Sequence, residues 1–490
     1  NHETLRPGLV FDLARVTIEF TTPSLVSSGD GDGLYDAVFV ADANGLPALP
    51  GETLAGVLRH ALADGKNPDE DPLCRRVFGY QQRDQGEASA LRVSWAQVHG
   101  ADDRPVPFRG DAAKLAADPV LALLRRGVAR DHVRIGPHGA VDGRGKFDEQ
   151  LVPAGARFTF ELVFDRAAET DEAPLPTLEA LLAVLARPEL RLGRSGRRGL
   201  GGFVVCRVLA RRFDLQVAAD YAAYQKLPVA LEDGDGGQLR KVEFPKGVVG
   251  PGWVHGSLSL QPVGTFRFSG SVRSGHEPKV PAGAKEARSK SPQPPRDYDR
   301  FPLTEQRIRW NGQGKVSVRD QGEVVPLAEV EFLAPGSGLK GALRHRTAFH
   351  LRRLEKVFAP AQGPLPVPLP ATPREELIFG AINSNEGGAP GKLLVADAWI
   401  AKNDARYLPQ QHVSLDRFTG GPMDGLLFDE LSLGQSWLQF RLDLQVAGLD
   451  RVARRALAAA LDDLTSARLQ VGAGRGHGRF RGTVIWSDQG

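Results

Sequence analysis

The chain is poor in several things, and each shortage narrows what it can be. It has two cysteines in 490 residues, Cys74 and Cys206, and neither lies in a C-x-x-C motif or a Cys/His cluster. A disulfide framework is therefore excluded, and a reducing, cytoplasmic setting without structural zinc is expected. No apolar run approaches the length of a membrane span, and nothing near the first residue resembles a signal peptide. Net charge is only +3, so no global electrostatic argument points to nucleic acid. Disorder is equally disfavoured, since 41% hydrophobic and 25% charged residues is ordinary globular composition, and the length suits two to four domains.

What is present is repetition. Pro50-Gly-Glu-Thr-Leu-Ala-Gly-Val-Leu-Arg-His60 returns as Pro335-Gly-Ser-Gly-Leu-Lys-Gly-Ala-Leu-Arg-His345, with seven of eleven positions identical. In each, a Pro-Gly turn ends an apolar run and a helix follows. Leu54 and Leu58, or Leu339 and Leu343, are spaced for one buried face. A glycine inside a helix costs about 1 kcal/mol against alanine. Its double occurrence, at Gly56 and Gly341, implies close backbone approach by a packed strand or by a polynucleotide.

Three further pairs keep the same order. Val77-Phe-Gly79, a polar stretch and a strand over 90–98 answer to Ile378-Phe-Gly380, the polar segment 383–388 and a strand over 392–400. His132-Val-Arg-Ile135 with Phe147-Asp-Glu149 answers to His412-Val-Ser-Leu415 with Phe428-Asp-Glu430. Finally Arg191 to Phe203 matches Arg468 to Phe480, each a Gly-rich loop between a helical pattern and a strand. An internal duplication follows. The loop is no nucleotide P-loop, which needs strand before helix and a Lys-Ser/Thr after its glycines. Two readings stand: a tight turn, or a loop whose arginines and backbone amides hold phosphate.

The ends of the repeats suggest a first domain over 1–213, a Gly-punctuated linker over 214–257, and a second domain over 258–490. A basic, Pro-rich insertion at 275–300 belongs to the second. Residues 21–33 read as a loop, with Asp30, Asp32 and Asp36 in it or just beyond. The D-x-D-G fragment lacks the downstream ligands of a calcium loop.

In their duplicated order, the Ser-Ser-Gly loop with its acids, the P-G-x-x-L-x-G-x-L-R helix, V-F-G, Ser414-Leu-Asp-Arg-Phe-Thr-Gly-Gly421 and the C-terminal Gly-rich loop resemble the RAMP superfamily of CRISPR proteins. The similarity is strongest to backbone subunits of type III effector complexes, and the whole resembles a tandem fusion of two, of the III-D-like kind. The resemblance implies an α+β fold with two ferredoxin-like, RRM-type cores, each bearing a thumb hairpin (132–149 and 412–430) that wedges between guide and target bases. It implies CRISPR RNA, complementary target RNA and other effector subunits as partners, with specificity supplied by base pairing.

The RNA track would comprise Gly51, Gly56, Arg59, Gly336, Lys340, Gly341 and Arg344 at the repeated helices. Arg197, Arg198, Gly199, Arg475 and Gly476 would add the Gly-rich loops, and His132 and His412 the thumbs. By the same resemblance Asp36 would be the catalytic and metal-binding acid of a metal-dependent endoribonuclease using Mg2+ or Mn2+. Asp30 and Asp32 are alternatives, and Asp297, Asp299 and Asp320 are remoter candidates in the second lobe. Two other functions compete: a non-catalytic scaffold that binds CRISPR RNA, and a RAMP endoribonuclease that processes its precursor. The last would draw on His477, whose counterpart in the first lobe is Leu200.

Overall fold

The computed structural model describes residues 9–29, 31–82, 84–135, 141–166, 169, 174–269, 300–310, 328–357, 371–381, 388–400, 406–473 and 477–487. Asp30, Asp297, Asp299, Asp320, Arg475, Gly476 and almost all of the 275–300 insertion lie outside the described residues.

The first lobe is built on the strand Val10–Phe20, which pairs antiparallel with Arg157–Asp165 on one side and Phe203–Asp214 on the other. Leu91–Val93 flanks the former. Alternation sends Ala14, Val16, Ile18 and Phe20 to one face, where they join the helices Gly51–Leu62 and Leu178–Leu185 in the main core. Leu54, Leu58 and Ala61 are buried on the first of these helices, the face that the spacing predicts.

The second lobe repeats the plan. Trp253–Pro262 lies between Leu438–Gln445 and Arg479–Trp486, and Leu393–Val395 flanks Leu438–Gln445. Its helices are Gly336–Glu355 and Arg451–Thr465. In sequence terms, each sheet orders its four equivalent strands fourth, first, third, second. The strands expected over 90–98 and 392–400 are each broken in two, at 91–93 with 97–98 and 393–395 with 398–400.

The expected linker over 214–257 is largely part of the first lobe. The helix Ala218–Lys226 and the strand Arg240–Lys241 belong to it, and Ala223, Leu227 and Leu239 cover Phe11, Leu13 and Phe213 on the sheet face away from the main core. The central strand of the second lobe already begins at Trp253.

Each lobe also projects a hairpin: Val128–Ile135 with Val141–Leu151, and Arg406–Leu415 with Pro422–Gly434. Their registers slip at matching places, between Val133 and Ile135 and between Val413 and Leu415. The lobes are locked together at the foot of the first hairpin. There the Ile308 amide donates to Ala154 O (2.9 Å), Trp310 Nε1 donates to Gly155 O (2.7 Å), and Arg130 pairs with Glu305 and Asp397.

Candidate nucleic-acid interface

The foot of each hairpin carries the same constellation. His132 stacks on Phe147 with ring centroids 4.9 Å apart, and His412 stacks on Phe428 at 5.0 Å. Beside each pair is a buried carboxylate. Glu149 lies 3.0 Å from His132 Nε2 and 3.5 and 3.8 Å from Arg198 and Arg194, while Glu430 accepts two hydrogen bonds from Arg267, both 3.1 Å. Arginines also face the two phenylalanines, Arg198 at 5.0 Å and Arg300 at 4.0 Å. Burial by itself would raise the Glu149 carboxyl, but the nearby His132 imidazole and the charge of Arg198 hold it below its ordinary value.

Asp36 belongs to this place. The loop that carries it lies along the return strand of the first hairpin, with Ala37 bridged to Glu149 in parallel. Asp36 Oδ2 accepts the Asp148 amide at 2.9 Å, and the Asp36 amide donates to Asp148 Oδ1 at 3.0 Å. Each carboxylate is thereby held on the other residue's amide, with Asp36 exposed. Asp32 caps its own turn, accepting the Leu34 and Tyr35 amides on Oδ1 (both 2.9 Å), and these bonds lower its carboxyl below the ordinary value. Asp148 escaped the sequence reading, although Phe-Asp-Glu was visible as a repeat.

A cleft of about 920 Å³ opens next to this foot. One wall is the exposed side of the helix Gly51–Leu62, with Thr53, Gly56 and His60; the other is the Gly-rich loop, with Arg194, Arg197 and Arg198. The repeated glycines separate into two kinds. A Cβ on Gly51 would lie 2.2 Å from Val93 O, and one on Gly336 2.3 Å from Val395 O, so packing against the next strand accounts for both. A Cβ on Gly56 or Gly341 would meet nothing within 4 Å, so no packed strand explains them.

The cations proposed for phosphate divide likewise. Arg59 and Arg344 are held by acids that follow their helices, Asp69 at 2.7 Å and Glu375 at 2.8 Å. Arg197 donates to Gly391 O across the lobe boundary. The Lys340 ammonium is buried between Arg197 O (2.9 Å) and Leu393 O (2.8 Å), and desolvation, reinforced by Arg197, brings it down to about 7. Gly199, at φ +103°, lets the loop approach the second lobe: a Cβ there would stand 2.8 Å from Val395 O. These positions join the two lobes. Arg198 and Arg194, with side chains 36% and 49% exposed, face outward at the cleft; Arg194 was not among the sequence candidates.

These features agree with a comparison of the whole chain. The family model of the RAMP superfamily matches residues 17–204 and again 310–481, and the chain belongs to the RAMP superfamily. It is a CRISPR-associated RNA-binding subunit, with CRISPR RNA and Cas proteins as partners, and it carries the family's unit twice. No curated protein matches it. Among the described residues no helix is long and apolar enough to cross a membrane.

Proposed function

We propose that the chain is a fused pair of backbone modules of a type III effector complex, which holds CRISPR RNA and cuts complementary target RNA from its first lobe. The repeated strand order supports a ferredoxin-like core in each lobe, and the hairpins are read as thumbs. The observation that carries the proposal is the contrast within the second hairpin. Its foot is charged, with Arg267 bonded to the buried Glu430, whereas Val413, Leu415, Phe418 and Leu427 stand 46%, 61%, 95% and 67% exposed toward its tip. Apolar groups so arranged suit the faces of unstacked bases, which any sequence offers. In the first lobe the connector covers the sheet face opposite the helices. The backbone of the RNA is accordingly assigned to the cleft, along Gly56, Arg194 and Arg198.

Asp36 is the proposed catalytic group. Its carboxylate accepts the proton of a neighbouring 2′-hydroxyl; that oxygen attacks phosphorus, and the bond to the 5′-oxygen breaks, the leaving oxygen taking a proton from water, giving a 2′,3′-cyclic phosphate and a 5′-hydroxyl. The Asp148 amide orients the carboxylate, and Arg194 and Arg198 bind the phosphate. The paired oxygens of Asp36 and Asp148 are hard donors that fit Mg2+ or Mn2+, which when bound would neutralise charge on the scissile phosphate. Splaying of the RNA by the hairpin would supply in-line orientation.

The test is Asp36→Ala in an assembled complex with guide and complementary RNA. Loss of one cut with unchanged target binding is expected. Retention of every cut would favour the scaffold reading, and turnover of repeat RNA by the isolated chain would favour the processing enzyme.

A further inference from the structure

The foot of the second hairpin differs from the first in one respect that the RNA reading does not use. His412 on the outgoing strand, Glu430 on the return strand and His477 in the C-terminal loop each bring a ligand atom within 4.8 Å of the other two. His412 Nε2, like His132 Nε2 in the first lobe, is buried and has no hydrogen-bond partner among the described residues. It faces Glu430 Oε2 at 3.8 Å, too far for a hydrogen bond, whereas the matching pair in the first lobe closes to 3.0 Å. The first lobe also has Leu200 where the second has His477. The second pair has thus been opened and given a third donor.

We propose that His412, Glu430 and His477 bind a transition-metal ion of the zinc class. Two imidazoles and a carboxylate are a common zinc donor set, and bonds of about 2.0–2.1 Å to a tetrahedral ion put neighbouring ligands about 3.3 Å apart, a spacing between the closed first-lobe pair at 3.0 Å and the open His412–Glu430 gap of 3.8 Å. Nitrogen donors select such ions over Mg2+ and Ca2+.

The surroundings are those of a metal ligand set. His477 Nδ1 is hydrogen-bonded to Thr265 Oγ1, and an Nδ1–H donor there leaves the lone pair on Nε2. Arg267 and Ser432 orient Glu430. Neutralisation of Glu430 by Arg267 is no bar, since three neutral imidazoles suffice to hold zinc. The ion would staple both hairpin strands to the C-terminal loop. The scarcity of cysteine rules out only the thiolate kind of site.

Titration of the untagged full-length chain with Co2+ and Zn2+ tests this independently of RNA cleavage. One equivalent of Co2+ with visible d–d absorption is expected, together with a rise in Tm on adding Zn2+. His412→Ala and His477→Ala should each weaken binding at least about 100-fold and abolish the Tm rise, and Thr265→Val should weaken it about 10–100-fold. His132→Ala should change neither. Absence of stoichiometric binding in the wild type, or binding retained by both histidine variants with native circular dichroism, would overturn the assignment.

Discussion

Replacing Arg130 by methionine should loosen the union of the two lobes more than any other single change. The guanidinium is 6% exposed and donates Nε and Nη2 to Glu305 (2.6 and 3.0 Å), with Nη1 2.8 Å from Asp397 Oδ2. Both acids are 7% exposed. Methionine fills much of the same volume but leaves two carboxylates buried side by side. Breaking a buried pair from one side costs about 3–5 kcal/mol. At about 2–4 °C per kcal/mol for a cooperative unit of 150–250 residues, the Tm should fall by roughly 6–20 °C. The deficit should also depend on pH. Burial already pushes the Glu305 carboxyl up, against the opposing pull of Arg130, and loss of Arg130 leaves burial unopposed. A carboxyl raised on folding binds more protons in the native state, so stability falls as pH rises through its titration. Arg130→Met should therefore be closest to wild type at mildly acidic pH and fall behind toward neutrality. Calorimetry across pH 4–8 reads both effects. A change in Tm under about 3 °C, or a deficit that shrinks as pH rises, would refute the reasoning.

Lys340 titrates the other way. Its folded value of about 7 lies below its ordinary 10.5, so the unfolded chain binds more protons between the two, and stability should rise with pH across that window. Lys340→Met should flatten the rise in a pH series of denaturation midpoints. Gly56→Ala and Gly341→Ala should stabilise the isolated chain by up to about 1 kcal/mol yet weaken RNA binding, while Gly51→Ala and Gly336→Ala should cost about 1–3 kcal/mol through overpacking; chemical denaturation beside filter binding separates the two pairs. Replacing Arg194 and Arg198 by glutamine should lower the slope of log affinity against log salt by about 0.7 for each phosphate charge no longer neutralised. The same slope should be unmoved by Arg197→Gln.

The duplication was legible because it was written in identities, and the repeated helices because Leu54 and Leu58 keep the helical period. The hairpins were legible as matching segments. Their chemistry was not, because a buried charge looks like a solvated one until its partner is known: Arg130 and Glu305 stand 175 residues apart. The same ambiguity made Arg197 and Lys340 look like phosphate ligands, although their polar groups bridge the lobes. The connector read as a linker because Gly and Asp dominate its punctuation, while the residues that fasten it, Ala223, Leu227 and Leu239, follow no single period. Asp36 is proposed through resemblance. Its neighbour Asp148 became visible only when the loop lay against the hairpin.

The polar boundary between the lobes bears on how such a protein is counted in an assembly. Arg191 with Asp443 (2.6 Å), Arg130 with Glu305 and Asp397, and Lys340 on two carbonyls are pairings whose desolvation cost offsets much of their attraction. Free chains meeting through them would also give up translational and rotational freedom on association. One continuous chain removes that penalty, since a short tether holds the partners at an effective concentration of order millimolar. The junction can then be specific without being adhesive. It also fixes order and stoichiometry: each first lobe is followed by one second lobe, so a cut made by the first lobe alone recurs once per fused pair and not once per RAMP unit.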